Sequence, residues 1–189
     1  MTTTDTRTLT GIPGYVAGTW SIDPVHSEVG FTVRHMMVSK VRGRFRTFSG
    51  QIVTGASPLD SSVTAEIDLS SIDTGNEQRD AHIRSADFFE VETYPVMTYR
   101  STGVREDGDV YILDGQLTLK GVTRDVPLAL EINGFGPDAY GGTRVGFTAI
   151  GEINRRDFGV NFTAVMETGG AVVSDKITIQ LEIEAVLQS

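Results

Sequence analysis

From Val29 onward the chain alternates: Val29, Phe31, Val33 and His35 share one parity, while Gly30, Thr32 and Arg34 take the other. Side chains leave a strand on opposite faces in turn, so the run predicts a strand with one apolar face. The same alternation recurs in Val63, Ala65, Ile67 and Leu69, in the short Met97–Tyr99 run, and in Leu128, Leu130 and Ile132. Val145, Phe147 and Ala149 form another, and the cleanest is Ile177, Ile179, Leu181 and Ile183. Tyr111, Leu113, Leu117 and Leu119 also share a parity, interrupted by Asp114-Gly115, a dipeptide suited to a tight turn. Turn signals separate the runs at Glu106-Asp107-Gly108-Asp109, Gly134-Phe135-Gly136-Pro137, Gly141-Gly142 and Gly169-Gly170. Many short alternating strands predict an all-β sandwich or up-and-down barrel, a choice that periodicity leaves open.

One segment departs from the pattern. Thr74-Gly75-Asn76-Glu77 has the spacing of a capping box, which predicts a short helix over Gln78 to Ser85, with Ile83 as its apolar anchor. Phe88, Phe89 and Tyr94 then pack its exit. Residues 1–17, rich in threonine and broken by Gly11-Ile12-Pro13-Gly14, read as a flexible or loosely docked arm before one domain over 18–189.

At 189 residues, 39% hydrophobic and 22% charged, the composition suits one soluble domain, and no apolar run reaches the roughly 18 residues of a membrane span. The net charge of −9 disfavours nucleic acid and nonspecific attraction to anionic membranes, and stable membrane insertion is not expected. The absence of cysteine excludes disulfides and thiolate chemistry. The opening Met1-Thr2-Thr3-Thr4-Asp5 carries neither a basic start nor an apolar stretch, so a cytoplasmic location is the expectation.

Several blocks resemble the YceI family. They are the run from Gly18-Thr19-Trp20 through Asp23-Pro24-Val25-His26-Ser27 to Val33-Arg34-His35, and Gly43, Phe45, Phe48 and Gly50. Next come Asp73-Thr74-Gly75, Arg79 to Ser85, Asp87-Phe88-Phe89 and Tyr94-Pro95, then Gly115 to Arg124 and Ile153 to Val160. The resemblance implies an extended lipocalin-like antiparallel β-barrel of about eight strands with one or two short helices. It also implies noncatalytic binding of a polyisoprenoid or isoprenoid-quinone-like lipid, no other cofactor, and a homodimer as an expected partner state. Trp20, in a G-x-W that opens many lipocalin barrels, would plug the closed end.

The candidate ligand-binding set follows from parity and from the resembling motifs. Phe31, Val33, Phe45, Ile67, Leu69, Met97, Tyr99, Leu117, Leu119 and Phe147 are the inward candidates. Phe88 and Phe89 close the tunnel with the helix, and His35, Arg84 and Phe158 complete the set. Small barrels either fill with such side chains or hold one ligand, and the sequence does not separate the two. Each buried methylene is worth roughly 0.8 kcal/mol relative to water, so a long tail needs little polar help.

Other chemistries fit less well. No histidine pair among His26, His35 and His82 has ligand spacing, and His26 and His35 would face opposite sides of an unbroken strand. A Ser27–His82–Asp80 nucleophile fails because Asp80 and His82, two apart on a helix, point apart. Arg79, Asp80, Arg84, Arg155, Arg156 and Asp157 read as an ion-paired network closing one barrel end, or as arginines that meet a ligand head group. Two rival functions remain: an enzyme acting on a lipidic molecule through His35, His82 and nearby arginines, and a packed dimeric interaction module.

Overall fold

The computed structural model describes residues 11–164 and 173–189. The first ten residues of the expected arm and the Gly169-Gly170 turn signal lie outside the described residues. In chain order the strands are β1 (Gly18–Ile22), β2 (Glu28–His35), β3 (Ser39–Phe45), β4 (Phe48–Thr54), β5 (Ser62–Asp68) and β6 (Ile72–Asp73). After the helix α1 (Glu77–Arg84) come β7 (Val96–Asp107), β8 (Val110–Leu119), β9 (Val122–Asp125), β10 (Leu128–Pro137), β11 (Thr143–Asn154) and β12 (Val173–Leu187).

Among the described residues, eight of these strands close an antiparallel barrel in the order β1, β4, β5, β7, β8, β10, β11, β12, with β12 returning to β1. The 15-residue β12 is shared: its end pairs β1 from Ala185 to Leu187, while its earlier part pairs β2 from Val173 to Glu182. β2, β3 and β6 therefore extend one wall beyond the ring, and the chain from β6 to β7 runs through α1. The Ser27 hydroxyl fixes this branch point by exchanging hydrogen bonds with the Glu184 backbone, at 3.1 Å to its carbonyl and 3.0 Å from its N–H.

The alternating runs lie in strands as their parity requires, and one face of each packs into a common core. Three local expectations are corrected. Asp114-Gly115 is no turn, because β8 runs unbroken through it and the chain reverses at Gly108-Asp109, between the paired Asp107 and Val110. Gly115 instead makes room: a Cβ there would sit 2.4 Å from the Tyr99 ring. Leu69 belongs to a 3-10 turn rather than a strand, because the Asp68 side chain accepts from Ser70 N–H and bends the chain. The helix cap is Asn76, whose side chain accepts from Arg79 N–H at 3.0 Å. Thr74 is excluded from that role by Gly75, whose φ of +82° swings the chain between them.

Residues 11–17 are docked. Tyr15 is 3% exposed, donates its hydroxyl to the Gly55 carbonyl at 2.7 Å and packs its ring 5.2 Å from that of Phe135. Trp20, fully buried, donates to Thr54 Oγ1 at 2.8 Å and meets Phe135 edge-on. This aromatic stack closes one end of the barrel. No helix among the described residues is long and apolar enough to cross a membrane.

Candidate ligand cavity

The interior is not packed solid. A cavity of about 830 Å³ runs through the barrel, toward the upper end of the roughly 300–1,000 Å³ typical of small-molecule sites. Phe31, Val33 and His35 of β2 and Phe45 of β3 line the extended wall. Ile67, Met97, Tyr99, Leu117, Leu119 and Phe147 line the ring, and Phe88 and Phe89 cover the cavity from the segment after α1. Inward parity placed these side chains together because Tyr99 pairs Leu117 across β7 and β8 and Phe147 pairs Ile183 across β11 and β12, while a register shift after Ser101 turns the even Val104 inward.

Three members of the expected set do not line it. Leu69 is fully buried under its 3-10 turn, outside the cavity. Phe158, 1% exposed, is the last residue of a second 3-10 turn, Arg155–Phe158, which directs it into the core beside the cavity. Arg84 turns back along α1 to an ion pair with Glu77 Oε1 at 2.8 Å, one helical face away from the interior. The β12 side chains Ile177, Ile179, Leu181 and Ile183 do line it; their alternation was visible, and only their assignment to the wall was missing.

The two ends differ in chemistry. At the closed end the polar lining is neutral, supplied by Tyr15, Thr54, Ser61, Ser62 and Tyr111. At the α1 end it is basic: Arg34, His35, Arg79, His82 and Arg155 line the cavity there, with no Asp, Glu or Lys among the described lining residues. Arg34, Asn76, Gln78 and His82 are also exposed, so the cavity opens at this end.

Each basic group is held differently. Arg79 donates from Nε to Thr74 Oγ1 at 2.7 Å and from Nη2 to the Thr74 carbonyl at 2.8 Å, leaving its charge without a carboxylate partner among the described residues. Asp80 Oδ1 accepts from both the backbone N–H and the hydroxyl of the same Thr74. His82 contacts Asp87 Oδ2 through Nε2 at 2.8 Å, and its ring stands edge-on to Phe88 and Phe162 at 5.1 and 4.9 Å.

Arg155 is 4% exposed. Its Nη1 donates to the Val160 carbonyl at 2.8 Å and its Nε to the Ser174 carbonyl at 3.2 Å. Nη2 lies 3.1 Å from Asp175 Oδ1, an ion contact whose angle makes no hydrogen bond, so this buried N–H₂ has no acceptor among the described residues. Burial pulls the guanidinium below its ordinary pKa, Asp175 raises it, and Arg156, which shares that carboxylate, lowers it. The six charged residues of the expected network thus do not pair with one another. Among the described residues Asp157 offers its carbonyl, to Arg124 Nε at 3.1 Å.

The histidines do not converge. His26, exposed, clusters with the partly buried Asp23 and Glu184, the ligand-type atoms of all three lying within 4.8 Å of one another. Arg144 already supplies the cation there, 2.8 Å from Asp23 Oδ2 and 3.5 Å from Glu184 Oε2. His35, at the far end of β2, belongs to the cavity wall.

Comparison with known proteins places this architecture. A UPF0312 protein of Staphylococcus epidermidis is 38% identical over 167 residues, covering 87% of this chain and 95% of that protein. The YceI protein of Escherichia coli O157:H7 is 36% identical over 176 residues, covering 92% and 89%. Among solved structures, the Campylobacter jejuni YceI protein superposes with a TM-score of 0.71 at 32% identity, covering 88% of this chain and 96% of its own. A polyisoprenoid-binding domain from Saccharophagus degradans shares the fold, with a TM-score of 0.69 at 19% identity over 92% of this chain and all of its own. Residues 20–185 match the YceI-like domain, and the chain, with its closed barrel and capped helix, belongs to that family.

Proposed function

We propose that this protein binds an amphipathic lipid of the polyisoprenoid or isoprenoid-quinone kind without transforming it, and sequesters or carries it. The apolar tail occupies the barrel and the head group sits at the α1 end. The observation that carries this reading is the cavity: about 830 Å³, apolar along its length, with all its described charged lining basic and at the open end. The solved polyisoprenoid-binding domain supports the reading at the level of fold, since the same architecture carries that name.

The physics of each part is simple. Tail burial supplies affinity at roughly 0.8 kcal/mol per methylene relative to water, but a bilayer offers much the same gain. Net transfer from a membrane therefore depends on the head group. Arg155 Nη2 is a buried donor with no hydrogen-bond acceptor among the described residues, so a ligand oxygen reaching it offsets a desolvation cost. Arg79, fixed by two bonds to Thr74, adds an oriented charge.

The test is native mass spectrometry of gently purified protein, followed by extraction and incubation with polyprenols, polyprenyl phosphates and quinones. A retained species with isoprene repeat units is the expected result, with retention of the phosphate reduced by Arg155→Gln. A clean unliganded mass after every incubation would overturn the proposal.

A further inference from the structure

We infer that the β2–β3 hairpin is a bilayer-docking element, which sets the cavity mouth against a membrane surface containing anionic lipid. Its tip is apolar and unsheltered: Met36, Met37 and Val38 are 40%, 63% and 82% exposed. Met36 and Met37 have φ of 51° and 61°. This left-handed turn is ordinarily made by Asn-Gly, and side chains as large as methionine occupy it at a cost. Here that cost holds two flexible apolar side chains out in water.

The flank of the hairpin is basic. Between Val29 and Leu59 the sequence holds no Asp or Glu but has Arg34, Lys40, Arg42, Arg44 and Arg46, in a chain whose net charge is −9. Strand register places Arg34 opposite Lys40, Thr32 opposite Arg42 and Gly30 opposite Arg44, while the alternate positions Val33, Val41 and Phe45 face the cavity. Lys40, Arg42 and Arg44 therefore form one outward stripe, which Arg34, paired with Lys40, carries to the rim of the cavity mouth. Arg44 and Arg46 share one carboxylate, Asp73, at 3.7 and 2.5 Å. Arg34, Lys40 and Arg42, nearest the tip, are exposed and have no carboxylate partner among the described residues.

These features select the occupant. Three apolar side chains on a narrow turn fall far short of the roughly 800 Å² per side of a stable protein interface. Nucleic acid would use the cations but gains nothing from Met37 and Val38. A bilayer takes both, the tip entering among head groups while anionic lipids attract the stripe. The geometry also places the tip at the mouth, because Arg34 and His35, directly before it, line the cavity. That last link rests on the lipid-binding reading, whereas docking is measured with no ligand in the cavity, so the two fail separately.

The experiment is flotation of the protein with phosphatidylcholine vesicles, with and without phosphatidylglycerol. The wild type is expected to float with the anionic vesicles and to lose binding as salt rises. Lys40→Gln and Arg42→Gln should each lower partitioning about five-fold on anionic vesicles. Met36→Asn with Met37→Gly installs the preferred turn pair, so it should raise thermal stability while lowering flotation, a combination that misfolding does not produce. Absence of wild-type flotation, or flotation unchanged in both sets of variants, would overturn the inference. So would concentration-dependent self-association abolished by the turn pair, which would make the tip an interface between copies.

Discussion

Gly115→Ala is the sharpest test of the packing. In the barrel wall Gly115 faces Tyr99, and an added Cβ would lie 2.4 Å from both Cζ and the hydroxyl oxygen of that ring. Ordinary contact begins near 3.4 Å, so the ring must recede by about 1 Å. Tyr99 has little freedom to do so. It is 9% exposed, donates its hydroxyl to the Val126 carbonyl at 2.9 Å, and burial pushes its phenol above the ordinary range. Overpacking at about 1–3 kcal/mol plus loss of a hydrogen bond worth about 1 kcal/mol gives a destabilisation of about 2–4 kcal/mol. Gly115 has no positive φ, so alanine meets no backbone strain there. In a Tyr99→Leu background the same substitution should be neutral or stabilising by up to about 1 kcal/mol, through loss of glycine's excess entropy. Urea unfolding of the four proteins in the cycle, with unchanged m-values, measures the coupling. A coupling under about 0.5 kcal/mol would refute the account and return Gly115 to being a turn glycine, whose replacement costs the same with either partner.

Two further outcomes are expected. Asn76→Ala should cost about 1 kcal/mol and speed amide exchange in α1; unchanged stability would mean that Asn76 Oδ1 is not the cap. Asp23 is held below its ordinary carboxylate value of 3.8, first by its hydrogen bond from Arg144 and then by His26. A depressed carboxylate stabilises above its unfolded pKa and is lost as pH falls, so melting temperature should drop between about pH 4 and pH 2. Arg144→Met should shrink that acid limb, and an identical limb in the variant would show that the Asp23 contact carries no stability.

What was legible in the sequence is what alternation encodes. A strand's parity fixes which side chains face inward, so Phe31, Val33, Ile67, Tyr99, Leu117 and Phe147 reached the cavity together across five strands. Parity fails where the chain leaves the strand for a few residues. Leu69 and Phe158 are apolar and buried, but the 3-10 turns begun by Asp68 and Asn154 rotate them out of the alternating frame. The cap failed for a related reason: the capping-box spacing at Thr74 was genuine, yet one left-handed glycine moved the helix start to Asn76. Arg84 shows the same limit on a helix, where the motif that contains it says nothing of which face reaches the barrel.

The question that parity leaves undecided, filled interior or open one, depends on strand number, tilt and the sizes of the inward side chains rather than on alternation. An eight-strand barrel lies at the size where inward side chains either meet across the axis or leave room for one ligand. Small residues tip the balance here: Ala65 and Ala149 take inward positions among the larger side chains, and Gly115 yields its space to Tyr99. The polarity of the cavity was equally hidden, because its basic members come from three separated stretches: the end of β2, α1 and the turn after β11. Only closure of the barrel gathers Arg34, Arg79, His82 and Arg155 at one mouth. An acidic protein thereby presents a cationic opening, and its carboxylates, absent from the described lining, lie outside the cavity, where their net charge opposes entry of anions from bulk water. Long-range steering through solvent therefore works against an anionic head group, and contact-range capture at a surface favours it. This predicts that ligand uptake is faster from vesicles that the hairpin touches than from the same ligand dispersed in water, a difference that stopped-flow loading from the two sources measures and that equal rates would refute.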